Sequence, residues 1–298
     1  MATKTFKARK ARTELSIGGA RFYPIESESR DGKPLWVPSV TTWLSVWPKP
    51  ALVPWAAKSE KNGILDEMEG WLHEDTEANR GAMLDRVLKM REAPLRYREV
   101  SRKAKDTGSS AHAWLEWSLR EILGVKIGKE PALVPGADRA VKGATEWMKQ
   151  VNFKPMSVEK RVYHPTLGYS GRYDLKAEVD WTEGDKVERR IVIVDWKSSK
   201  GIYDDMLAQN LAYRAADAVT ANGDKSKGGV IVRLAKTADD PVAFEARQVP
   251  YSKILFDAFL AAGAFWRAMR QAEGKWLGGH ASDEEVAVMQ KRKNRWEE

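Results

Sequence analysis

Ile191-Val192-Ile193-Val194-Asp195-Trp196-Lys197 is the stretch on which the fold turns. Four consecutive β-branched residues have no helical period and suit a strand buried on both faces of a sheet. The charged residues that end the run are costly there unless they are paired or bound to metal. Lys197 follows Asp195 by two positions and so shares its strand face. Upstream, Gly171-Arg172-Tyr173-Asp174 supplies a second carboxylate, so Asp174, Asp195 and Lys197 can meet at strand ends.

The composition narrows what these groups can do. The 298 residues are 43% hydrophobic, enough to bury one elaborated domain or two small ones. A formal charge of +8 gives the surface an attraction for polyanions, which makes nucleic acid the expected partner. Cysteine is absent, which excludes disulfides, thiolate zinc sites and cysteine-bound iron–sulfur clusters and leaves oxygen and nitrogen as metal ligands. No stretch approaches the roughly 20 apolar residues of a membrane span, and the basic start, Met1 to Arg12, has no apolar signal core, so a cytoplasmic protein without a membrane partner is expected.

Outward from the decisive stretch, the pattern predicts strands near 156–164, 169–179 and 187–197, a helix over 203–220, strands near 229–234 and 243–249, and a helix over 251–272. A helix precedes them, ending near Val151, so the order is α-βββ-α-β. The N-terminal part begins with a hairpin over 15–25 turning at Gly18-Gly19. Next comes Val37-Pro38-Ser39-Val40-Thr41-Thr42-Trp43-Leu44, where Ser39 or Thr41 can cap a helix that Pro48 and Pro50 interrupt. Helix is expected over 51–72 and again over 76–121. The second carries a basic band of Lys89, Arg91, Arg96, Arg98, Arg102, Lys103 and Lys105 that can track a DNA backbone or form a solvated face. Three regions result: an N-terminal hairpin and helical elaboration over 1–151, a core over 152–275, and a charged tail over 276–298 whose end, Lys291 to Glu298, is expected to be mobile.

Carboxylates and a lysine at strand ends suit phosphodiester hydrolysis. That reaction needs charge neutralised on the phosphoryl oxygens, a hydroxide prepared and the leaving oxygen stabilised, all of which divalent cations held by carboxylates supply. Mg2+ keeps several waters and needs few protein oxygens. Asp174 and Asp195 are the expected ligands, with Lys197 orienting the water or stabilising developing charge. Glu159, in Val158-Glu159-Lys160, is a further candidate ligand on the first strand, where exposed glutamates are also common.

Four motifs stand in order: Gly108-Ser109-Ser110-Ala111-His112, Gly171-Arg172-Tyr173-Asp174, Asp195-Trp196-Lys197 and Gln209-Asn210-Leu211-Ala212-Tyr213. In this order they resemble the PD-(D/E)XK nuclease superfamily and, more narrowly, its RecB-like exonuclease branch. The opening segment from Val37, with Leu52 to Trp55, is similar to the mitochondrial genome maintenance exonucleases and their phage-borne relatives. The resemblance implies an α/β restriction-endonuclease-like core, a mixed central sheet flanked by helices, with a helical N-terminal elaboration. It implies a Mg2+- or Mn2+-dependent DNA exonuclease acting on ends, phage-encoded and serving recombination, replication or repair beside a single-strand annealing or recombination protein. By the same resemblance His112 is a metal ligand, with Glu116 one helical turn on to orient it or join the outer shell, and Gln209 and Tyr213 brace Lys197 or contact DNA. Tyr173 stands where the superfamily name has proline, a change common in this branch, and the missing cysteines imply a member without a cluster. A structure- or sequence-specific endonuclease and a non-catalytic DNA-binding protein of the same fold are the alternatives. The 13 tryptophans, Trp43, Trp47, Trp55, Trp114 and Trp117 among them, offer stacking surfaces for unpaired bases, although most tryptophans end in cores.

Overall fold

The computed structural model describes residues 13–73, 83–92, 95–125, 127–220, 225–237 and 239–293. The basic residues Lys4 to Arg12 lie outside them. β1 (Leu15–Ile17) and β2 (Ala20–Arg30) form the expected hairpin, with Gly18 and Gly19 at φ 64° and 71°, the left-handed pair that a two-residue turn requires. A second turn of the same kind at Asp31-Gly32 returns the chain as β3 (Lys33–Pro38), a strand the pattern does not announce because two prolines flank its apolar centre. Ser39 then caps the short helix α1 (Val40–Trp43), its hydroxyl accepting from the Thr42 N–H at 3.0 Å.

Helices α2 (Leu52–His73), α3 (Met83–Glu92), α4 (Arg96–Ile122) and α5 (Ala137–Gln150) follow. The expected helix over 76–121 is thus two helices, and Pro94, which can neither donate a helical hydrogen bond nor pack in a helix interior, stands between them in the sequence. The basic band divides. Arg96 pairs with Asp66 and Lys103 with Glu99, as on a solvated face, whereas Lys105 lies farther along α4 at the rim of the cavity described below.

β4 (Lys154–His164), β5 (Tyr169–Glu183), β6 (Lys186–Lys197), β7 (Gly228–Leu234) and β8 (Phe244–Val249) form one sheet in that spatial order. The pairs are antiparallel except β6 with β7, which are parallel and joined through α6 (Asp204–Thr220). The chain is therefore a mixed α/β structure, a five-stranded mixed sheet with helices on both faces. Val192, Val194 and Trp196 pack with α4 and α5 on one face, while Ile193 packs with α6 and α7 (Lys253–Ala272) on the other. The β-branched run is buried on both sides, and Asp195 and Lys197 fall on the α6 face.

The segment after residue 275 is not a tail as far as Lys293. β9 (Gly279–His280) pairs with β3, and α8 (Asp283–Lys293) follows. The reason lies in a few groups hidden among its charges: Val286 is fully buried, Met289 packs on the same cluster, and the Ala281 carbonyl accepts from the buried Trp36 Nε1 at 3.0 Å. Residues 294–298 lie outside the described ones. Trp43 is core, packed against Tyr169 and Phe259, and Trp114 donates to Glu130, so these two are occupied within the fold.

Candidate active site

A cavity of about 520 Å³ opens where the C-terminal end of β6, the N-terminal part of β5, α4, α6 and the N-terminal sheet converge. Two glycines make that convergence close. A Cβ on Gly108 would lie 2.4 Å from Ser198 Oγ, so α4 rests closely on the chain leaving β6 and a larger residue there would require the Ser198 hydroxyl to turn away. A Cβ on Gly171 would lie 2.3 Å from Tyr213 Cε1, so α6 packs directly on the β5 backbone. These are the glycines of two of the four motifs, and of the two it is Gly171 that fixes how near a helix comes to the reacting groups.

His112, one turn after Gly108, turns its Nδ1 to 3.7 Å from Asp174 Oδ1, while Asp174 Oδ2 accepts from the Trp196 N–H at 2.7 Å. Single donor atoms of His112, Glu159 and Asp174 lie within 4.8 Å of one another. Asp195, 1% exposed, faces the Lys197 ammonium. Lys197 Nζ donates to Gln209 Oε1 at 3.2 Å, and Gln209 Nε2 donates to Tyr213 Oη at 2.7 Å. Gln209 and Tyr213 stand four apart on α6, so one helical face carries this relay. All eight residues singled out from the sequence line the cavity. Glu116 also lines the cavity, but its carboxylate accepts from Arg120 Nη2 at 2.9 Å, and among the described residues no side-chain hydrogen bond or ion pair joins it to His112.

Glu159 reaches the cavity through an irregularity in the sheet. The register pairs Val158 with Leu175 and Lys160 with Tyr173, so Glu159 stands across from Asp174. On β5, Tyr173 packs under α6, Lys176 reaches Asp217 on α6, and Leu175 belongs to the cluster on the α5 side. Strict alternation would put Tyr173 and Leu175 on one face, so the pleat is interrupted at Asp174. Glu159 itself has a φ of 50°, a left-handed conformation that L-residues adopt at a cost of about 1–3 kcal/mol and that clusters at functional sites.

Electrostatics mark the same place. Burial, then the neighbouring Asp174, push Glu159 up to about 8, although Arg172 alongside pulls the other way. Burial lifts Asp195 to about 6 against the opposing effect of Lys197. Burial pulls Lys197 down, but Asp195 and Asp174 outweigh it and hold its ammonium above the usual lysine range. Burial, with Asp195 nearby, raises Tyr213 well above an ordinary phenol. Burial, more than any neighbouring charge, is what raises both carboxylates. Hard oxygen donors with one imidazole, spaced as they are, fit a divalent cation whose bonds of about 2.0–2.4 Å put neighbouring ligands about 3–4 Å apart. Arg21 and Tyr23 also line the cavity and carry no signal in the sequence, because a strand far from the motifs brings them there, whereas Ser198 arrives beside its motif neighbour Lys197.

No family model matches the chain, and no curated protein matches it. Among solved structures it is similar to the one described as the crystal structure of LHK-Exo in complex with dAMP, at 11% identity and a TM-score of 0.33, with 64% of this chain and 96% of that chain covered. A likeness so slight carries no weight for the site, whose meaning rests on its own geometry. No helix among the described residues is long and apolar enough to cross a membrane.

Proposed function

We propose that the chain is a divalent-metal-dependent DNA exonuclease of the PD-(D/E)XK type, built as a core over 152–275 with the N-terminal elaboration around it. The observation that carries this reading is the meeting of His112, Glu159, Asp174, Asp195 and Lys197 in one cavity. His112, Glu159, Asp174 and Asp195 would hold Mg2+ or Mn2+. The cation would supply charge neutralisation at the phosphoryl oxygens and a more acidic water. Lys197, held between Asp195 and the Gln209 amide, keeps its proton and offers an ammonium fixed in direction, suited to orienting the attacking water or stabilising developing negative charge. Tyr213, buried and neutral, fixes Gln209 and through it Lys197. Lys105 and Arg21 at the cavity wall are suited to a phosphate backbone.

The test uses end-labelled single- and double-stranded DNA and a closed circle, each with Mn2+, Mg2+ or chelator. Metal-dependent loss of linear DNA alone is expected, abolished in Asp195→Asn and Lys197→Ala with DNA binding retained. Cleavage of the circle would make the protein an endonuclease, and binding with no cleavage under any metal would overturn the reading.

A further inference from the structure

We propose that Arg172 is a phosphate-binding residue held in store by Glu159, freed toward a backbone phosphate of the substrate when a cation takes over that carboxylate. The inference rests on the nuclease reading of the same site and names the residue that receives the phosphate.

Arg172 Nε lies 2.7 Å from Glu159 Oε2, with side-chain exposures of 48% and 10%. The acceptor is thus enclosed while the arginine reaches in from solvent. Among the described residues no other partner is recorded for the guanidinium, so its two terminal amino groups remain available. Arg172 and Asp174 stand two apart on β5 and both line the cavity, so a guanidinium released from Glu159 stays beside the acids. Glu159 offers a donor atom to the same cluster as His112 and Asp174, and a cation gathering those three competes with Arg172 for it.

The surroundings favour an anion. Arg172 pairs in register with Arg161 on β4, and like charges directly opposed across two strands repel. Arg161 cannot move away: its terminal nitrogens donate to the Pro24 and Thr13 carbonyls, and it stacks over Tyr23 at 4.9 Å. Carbonyls leave its charge unneutralised. Arg21 lines the same cavity as Arg172 and brings a second guanidinium to it. A phosphodiester seated between this wall and the acidic floor would present one oxygen to a cation and another to the arginine fork, the planar geometry that guanidinium matches and ammonium does not.

Three proteins are compared on the full chain: wild type, Arg172→Met, which keeps an apolar stem without the charge, and Arg172→Lys. Melting curves confirm that each folds. Mn2+ binding is titrated without nucleic acid. Affinity for a labelled single-stranded oligonucleotide is then measured at saturating Mn2+ in a Lys197→Ala background, which prevents cleavage. Arg172→Met is expected to bind Mn2+ about threefold tighter or more, because a competitor is gone. The same variant should bind the oligonucleotide roughly tenfold or more weakly, with Arg172→Lys in between. Changes of opposite sign are the signature. Weaker Mn2+ binding in Arg172→Met would make Arg172 a support for Glu159 and overturn the proposal, as would oligonucleotide affinity equal to wild type. Should wild type bind no Mn2+, the nuclease reading itself falls; should wild type bind Mn2+ and cleave while Arg172→Met matches it in both affinities, only the role of Arg172 falls.

Discussion

Gly171→Ala tests whether the packing of α6 on β5 sets the reactivity of Lys197. The added methyl would lie 2.3 Å from Tyr213 Cε1, 2.6 Å from Cδ1 and 3.2 Å from Val40 Cγ2. Ordinary carbon contacts begin near ~3.5 Å, so the ring has to retreat by about 1.2 Å. Tyr213 is buried and has little room, and overpacking of this kind costs about 1–3 kcal/mol. The retreat also draws Tyr213 Oη from Gln209 Nε2, now at 2.7 Å, and Gln209 is what holds Lys197 at 3.2 Å. Misplacing a reacting group by about 1 Å can cost on the order of 100-fold in rate. The expected variant melts several degrees lower and turns over end-labelled DNA about 100-fold more slowly, its KM nearly unchanged. A cycle with Gln209→Ala separates the routes: if both changes act through the same brace, the double variant is hardly slower than the slower single one. Wild-type melting and turnover in Gly171→Ala, or rate losses that multiply in the double variant, would refute the reasoning.

The raised carboxylates give a pH prediction with a definite sign. Glu159 is lifted from an ordinary 4.5 to about 8 and Asp195 from 3.8 to about 6, so each binds its proton more tightly folded than unfolded. Their contribution to stability is present in full below about pH 4 and is lost as pH rises through about 6 and then about 8. With chelator, Tm is expected to fall from about pH 5 to about pH 8.5, less so in Glu159→Gln and with Mn2+ present; a Glu159→Gln profile identical to wild type would remove Glu159 as a source. The buried pair Lys176–Asp217, 3.0 Å apart with side chains 5% and 1% exposed, predicts that Lys176→Met lowers stability by about 3–5 kcal/mol by stranding a carboxylate. Adding Asp217→Leu should restore most of that in urea unfolding, short of the hydrogen bond Asp217 accepts from the Ser226 N–H; a double variant as unstable as the single would show that the pair itself is needed.

Local pattern made much of the site legible. The β-branched run before Asp195 has the period of a strand buried on both faces, and its alternation alone puts Asp195 and Lys197 together on one of them. The spacing of Gln209 and Tyr213 puts both on one helical face, and Gly18-Gly19 announces its turn by needing no Cβ. These features depend on residues a few positions apart. Tertiary structure decided what depends on distant partners. β9 falls in a segment read as tail until it pairs with β3 and the Ala281 carbonyl meets Trp36, 245 residues away, and its strand character comes from that pairing. Lys176 looks misplaced inside a strand until Asp217 is folded against it. From the sequence Glu159 is as easily an exposed strand glutamate as a ligand; the left-handed backbone and interrupted pleat opposite Asp174 turn it into the cavity, and desolvation there lifts its pKa. By itself the sequence determined which chemical groups and which element types were present, because period and turn chemistry are local. How closely the helices approach the sheet, which acids share one site and which arginine faces them were decided by the tertiary structure, because steric contact and burial exist only once distant segments meet.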